Sequence, residues 1–196
     1  APAWTAIGRT RLAAGDTAGA LEAARRGQAA SARAEGPALL ALELMDPKVP
    51  QAEALVKKYL EGKALAEIRM GYARVLLEGQ RYPEALQQLQ MITAERPDFA
   101  EAWLVQGTLL AQDNQPVAGE TALKRYLELA QAQQRAGEDR GRGLAQAYLA
   151  LAQIAEKRRD FQTAAAWLDR IDNAQDLMAA QSRRASILAR QGKLEE

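Results

Sequence analysis

Apolar residues along this chain recur three or four apart in short runs. Tyr72, Ala73 and Leu76 form one run, Leu89 and Ile92 the next, then Leu123, Tyr126 and Leu127, then Tyr148, Leu151 and Ala152, and then Ala164, Leu168 and Ile171. Such spacing places each run on one face of a helix rather than alternating across a strand. Between the runs lie steps rich in turn residues: Gly15-Asp16, Asp46-Pro47-Lys48-Val49-Pro50, Asn114-Gln115-Pro116 and Asp160-Phe161. Pro47 cannot continue a helix, and Pro50 suits the first turn of one, so both read as punctuation. The pattern predicts an all-α fold of antiparallel helix pairs with no sheet.

A longer period overlies the short one. Small residues stand at Ala20, Ala54, Ala85, Gly119 and Ala164, one in each successive pair. Trp4, Ile7 and Gly8 open the first unit, and Trp103, Gly107 and Leu110 open the fourth, with Gln106 where the pattern has Leu. Pro97 closes the third unit, whose second helix enters at Arg81-Tyr82-Pro83-Glu84-Ala85-Leu86. A bulky residue four before a glycine, then a small residue in the second helix, then a proline, at a period of about 34, resembles the tetratricopeptide repeat (TPR) family. The resemblance covers the whole chain, with repeats near 1–34, 35–65, 66–99, 100–144, 145–177 and a partial one at 178–196. It implies a right-handed superhelical TPR solenoid of about five and a half repeats, treated as a single domain. Small residues let the two helices of a repeat approach closely, while large residues fill the space beside them. One pair cannot bury both faces, so neighbours must stack. The second repeat is degenerate, with Ala38, Ala41 and Leu42 at its first-helix core positions.

Two segments carry expectations of their own. Gly137 to Gly143 holds three glycines and four charges and reads as a mobile loop between helices. Met178 to Arg190 reads as the first helix of a sixth repeat, followed by a turn at Gln191 to Glu196. Its apolar side, Ala185, Ile187 and Leu188, calls for a following helix. The natural chain is therefore expected to continue, and the open end to favour self-association.

Composition narrows the chemistry. The net charge is +1, which implies neither a nucleic-acid nor a membrane field. Histidine and cysteine are absent, removing the commonest metal ligands and disulfide chemistry. Glu138-Asp139 lacks the alternating acidic spacing of a calcium loop. Arg140 and Arg142 lie among glycines without the strand and Gly-Lys-Ser/Thr of a phosphate loop. Serines are few, and carboxylates such as Glu156 have Lys157 and Arg158 beside them, as at an ordinary solvated helix end. The basic residues Lys157, Arg158, Arg159, Arg183, Arg184, Arg190 and Lys193 lack aromatic interleaving and read as a solvated face. No enzyme, cofactor, metal, nucleic-acid partner or inserted membrane segment is expected.

The resemblance points instead to a concave groove. In TPR proteins it is lined by positions 2, 5, 9, 12 and 13 of each first helix. Carried across, those positions are Thr5, Arg9 and Leu12, then Leu39 and Glu43, then Met70, Arg74, Leu77 and Glu78. Leu104, Thr108, Ala111 and Gln112 follow, then Leu149, Gln153 and Glu156, and finally Ser182, Ser186 and Arg190. Position 5 is apolar in four repeats running, at Leu39, Met70, Leu104 and Leu149. An apolar stripe flanked by charges suits an amphipathic helix or extended peptide. The same residues also suit packing between neighbouring helices. The asparagines, Asn114 and Asn173, stand away from the middle of any first helix, which disfavours a clamp for a C-terminal carboxylate. The expected function is a protein–protein scaffold or adaptor, in bacterial envelope assembly or secretion, with a periplasmic or envelope location favoured over the cytoplasm. The alternative is a substrate-recruiting or regulatory arm of an enzyme whose catalytic domain lies elsewhere.

Overall fold

The computed structural model describes residues 1–132, 138–171 and 174–190. Their regular structure is helical throughout: α1 (Pro2–Ala13), α2 (Thr17–Ala30), α3 (Glu35–Glu43), α4 (Pro50–Leu60), α5 (Ala66–Glu78), α6 (Tyr82–Glu95), α7 (Ala100–Gln112), α8 (Pro116–Ala132), α9 (Glu138–Lys157), α10 (Phe161–Leu168) and α11 (Ala174–Arg190). Among the described residues there is no strand, and no helix is long and apolar enough to cross a membrane. Two compact units divide the chain at 1–92 and 93–196.

In the first unit α1 pairs with α2 and α3 with α4, while α1, α3 and α5 pack side by side as the first helices of successive pairs. Asp16 caps α2 by accepting from Gly19 N at 2.8 Å, and Gly15 turns the chain with φ of 79°. Pro50 opens α4 as its proline spacing requires. One core cluster gathers Ala20, Ala24, Leu40, Leu44 and Ala52. A second gathers Ala38, Ala41, Val56, Tyr59, Ile68, Tyr72, Leu76 and Ala85. The small residue of the second pair is therefore Ala52, which is fully buried, and not Ala54, which is exposed. The period shortens here: Ala52 lies 32 residues after Ala20 and 33 before Ala85.

The second unit pairs α7 with α8 and α9 with α10. Its α7–α8 crossing rests on two glycines. A Cβ added at Gly107 would lie 2.7 Å from Leu123 Cγ, and one at Gly119 would lie 3.0 Å from Ala111 N. Trp103 anchors the start of α7 by donating from Nε1 to Pro97 O at 3.0 Å. Asp160 caps α10 through Thr163 N at 3.1 Å.

The loop expected at Gly137 to Gly143 is corrected in its larger part. Gly137 lies outside the described residues, but Glu138 to Gly143 form the first turns of α9. Gly143 stands there for closeness, since a Cβ on it would lie 2.2 Å from Tyr126 Oη on α8. The tail at Gln191 to Glu196 also lies outside the described residues. On α11, Ile187 is buried with Ala180 against Ala152, Ala155, Leu168 and Ile171, whereas Ala185 is exposed. The apolar side of α11 thus faces back onto α9 and α10.

Candidate peptide-binding faces

In the first unit the ion pair between Arg9 Nη2 and Glu43 Oε1, at 3.8 Å, spans α1 and α3. Both side chains are about half exposed. The contact sets position 9 of these two helices on one accessible side. Leu39, one turn before Glu43, is 37% exposed, and Arg74 and Glu78 are exposed on α5. Thr5 is a spacer: a Cβ on Gly36 would meet its Oγ1 at 2.4 Å, and that hydroxyl donates to Ala1 O at 3.3 Å. Leu12 and Leu77 are half-buried against the two core clusters. Met70 is 2% exposed and belongs to the interior.

In the second unit Leu104 is 7% exposed and packs with Leu123, Tyr126, Leu127, Ala147 and Leu151. Ala111 is also buried. Thr108 Oγ1 donates to Leu104 O at 2.8 Å, inside its own helix. Leu149 is half-buried against the α9–α10 cluster. Gln153 is half-buried, while Gln112, Ser182, Ser186 and Arg190 are exposed. The accessible residues therefore differ in kind. Position 9 is charged in the first unit, at Arg9, Glu43 and Arg74, and carries a hydroxyl or amide in the second, at Thr108, Gln153 and Ser186.

The expected apolar stripe is broken. Met70 and Leu104 fill interior space, Leu149 is half covered, and Leu39 alone of the four is open. Leu104 is enclosed by residues of both α8 and α9, so exposure at position 5 depends on how closely the neighbouring helices approach. Sequence spacing carries no such information.

Several polar residues that spacing read as solvated are tied down. The Glu156 side chain is only 11% exposed and accepts from Arg183 Nε at 2.6 Å. Lys157 Nζ donates to Ala111 O at 2.9 Å, capping the end of α7. Arg158 pairs with Glu120 at 2.6 Å. Arg69, 3% exposed, donates to Leu60 O at 3.2 Å at the end of α4 and to Gln88 Oε1 at 2.9 Å on α6. A cation at a helix C-terminus meets both orphan carbonyls and the negative end of the helix dipole.

A further cluster joins α4, α5 and the entry to α6. Arg81 and Tyr72 each donate to Glu53 Oε1 at 2.8 Å, Lys57 pairs with it at 2.9 Å, and Arg81 also pairs with Glu84. The hydrogen bond from Arg81, with those from Lys57 and Tyr72, lowers the Glu53 carboxyl from 4.5 to about 2. Burial and the Glu53 carboxylate push the Tyr72 hydroxyl up. Every member is committed to another, so the cluster works as a clamp between helices. The sequence signal for it was a tyrosine in a core seam, whose hydroxyl needs a partner once buried.

Residues 48–112 match the family model described as tetratricopeptide repeat. The described helix pairs have the TPR fold. The chain's fold is similar to that of a TPR protein from Parabacteroides merdae, at 16% identity and a TM-score of 0.66, covering 98% of this chain and 73% of that one. YrrB, described as a TPR protein with an unusual peptide-binding site, aligns at 18% identity and a TM-score of 0.68, covering 92% and 90%. MamA aligns at 16% identity and a TM-score of 0.62, covering 100% and 95%. The sequence matches no curated protein.

Proposed function

We propose that this TPR chain is an adaptor that holds a peptide or helix of a protein partner against the exposed sides of its first helices, within a bacterial assembly or envelope pathway. The TPR fold is an interaction-scaffold architecture, and the solved structures it resembles include a TPR protein from Parabacteroides merdae and a protein from Pseudomonas aeruginosa. The observation that carries the reading is the accessible side of α1 and α3, where the Arg9–Glu43 pair at 3.8 Å flanks the exposed Leu39. An open leucine bordered by both signs of charge suits the mixed apolar and charged face of an amphipathic segment. In the second unit, Thr108, Gln153 and Ser186 supply hydroxyl and amide groups for polar contacts.

The test is capture from a bacterial lysate, comparing the full chain with its Leu39→Glu and Gln153→Glu variants. Loss of a captured protein in either variant, with an unchanged melting temperature, supports the adaptor role. Capture that survives both substitutions places the binding surface elsewhere.

A further inference from the structure

We propose that α11 is an electrostatically latched strap, which releases from α9 and α10 as a unit while the rest of the chain stays folded. Among its described side chains only Ala180 and Ile187 are buried, so a single large apolar side chain anchors the helix. They share a cluster with Ala152, Ala155, Ala164, Leu168 and Ile171 of α9, α10 and the residues after it, in which alanines outnumber the larger side chains. Small residues bury little apolar area and so hold a neighbouring helix weakly. Leu177 and Met178 on α11 point outward, at 39% and 74% exposed.

Charge supplies what the core does not. Arg183 pairs with Glu156 on α9 at 2.6 Å, Arg190 approaches the same carboxylate at 4.0 Å, and Arg184 pairs with Asp169 at the end of α10 at 2.9 Å. Three arginines of one helix thus converge on two carboxylates of the pair beneath it. Glu156 is the keystone: its side chain is 11% exposed, so its bond to Arg183 is screened less than a surface pair. The other two pairs are about half exposed or more on the arginine side and respond to salt. Elements with few buried apolar contacts open at lower free energy than the core around them. The strap is therefore set to open with ionic strength, uncovering the alanine-rich cluster.

Hydrogen exchange on the full chain tests this. Glu156→Gln is expected to accelerate amide exchange over residues 177–190 by about tenfold, the equivalent of about 1.4 kcal/mol, while α1, α2 and α7 keep their protection. Arg183→Ala should act in the same direction. The double variant should exchange no faster than Glu156→Gln alone, because both substitutions break the same contact. Raising salt to about 1 M, where the screening length falls to about 3 Å, should accelerate exchange of α11 in the native chain and in Glu156→Gln alike, because it screens the exposed Arg184–Asp169 pair that the substitution leaves in place. Glu22→Gln, which breaks the Arg25 and Arg26 pairs on α2, serves as the control and should leave α11 unchanged. Unaltered exchange in α11, acceleration spread evenly over α7 to α10, or additive effects of the two substitutions would each overturn the proposal.

Discussion

At the scale of single residues, burial separates side chains that spacing treats as equivalent. Leu104 and Leu39 occupy the same position of their repeats, yet one is 7% exposed and the other 37%. Leu104→Ala should therefore lower stability by about 2–5 kcal/mol through lost burial and a residual cavity, whereas Leu39→Ala should stay within about 0.5 kcal/mol. Urea denaturation of both variants checks the contrast. Glu53 carries a pH dependence of definite sign. Its carboxyl is depressed from 4.5 to about 2 in the folded chain. The stability it contributes is then fully present above pH 4.5 and drains as pH falls toward 2. Denaturation midpoints should fall between pH 5 and pH 3, and Glu53→Gln should flatten that part of the profile. A profile equally steep in the variant would assign the acid sensitivity to other carboxylates. Glu53→Ala should also cost about 1–3 kcal/mol at neutral pH, because the buried Tyr72 hydroxyl loses its acceptor.

At the scale of one element, α9 shows why a glycine-rich stretch need not be a loop. Gly141 and Gly143 both lie in its first turns, but they differ in surroundings. A Cβ on Gly141 would meet nothing within 4 Å, whereas one on Gly143 would lie 2.2 Å from Tyr126 Oη. Gly141→Ala should stabilise the chain by up to about 1 kcal/mol, because alanine loses less backbone entropy in a helix. Gly143→Ala should destabilise it by about 1–3 kcal/mol, because the buried Tyr126 side chain must be displaced. Opposite shifts in melting temperature would confirm the helical reading of this stretch. Equal stabilisation by both would show that the close approach at Gly143 is absent in solution.

At the scale of the whole molecule, the described helices alone take up about three-quarters of the residues, far above the roughly one-third usual for globular proteins. Far-ultraviolet circular dichroism should show helix in more than about two-thirds of the chain and negligible strand. Appreciable strand content would contradict the fold in both units.

The amino-acid sequence by itself determined the class of fold and most of the pairing. Helical periodicity follows from local side-chain placement, and small residues at crossings follow from the need for close approach. Both can be read from Ala20, Ala85, Gly107, Gly119 and Ala164 without knowing any contact. Only the tertiary structure decided the rest. It moved the second crossing from Ala54 to Ala52, since a degenerate repeat leaves the phase open by a residue or two. It turned Glu138 to Gly143 into helix where composition alone suggests flexibility, and it set Gly143 against the Tyr126 hydroxyl. It placed Met70 and Leu104 in the interior and left Leu39 outside. It also bound Glu156 and Lys157 to partners on other helices, Arg183 27 residues away and Ala111 46 residues away. Exposure and long-range pairing depend on how near the neighbouring helices come, and that distance is set by all the contacts of a unit together.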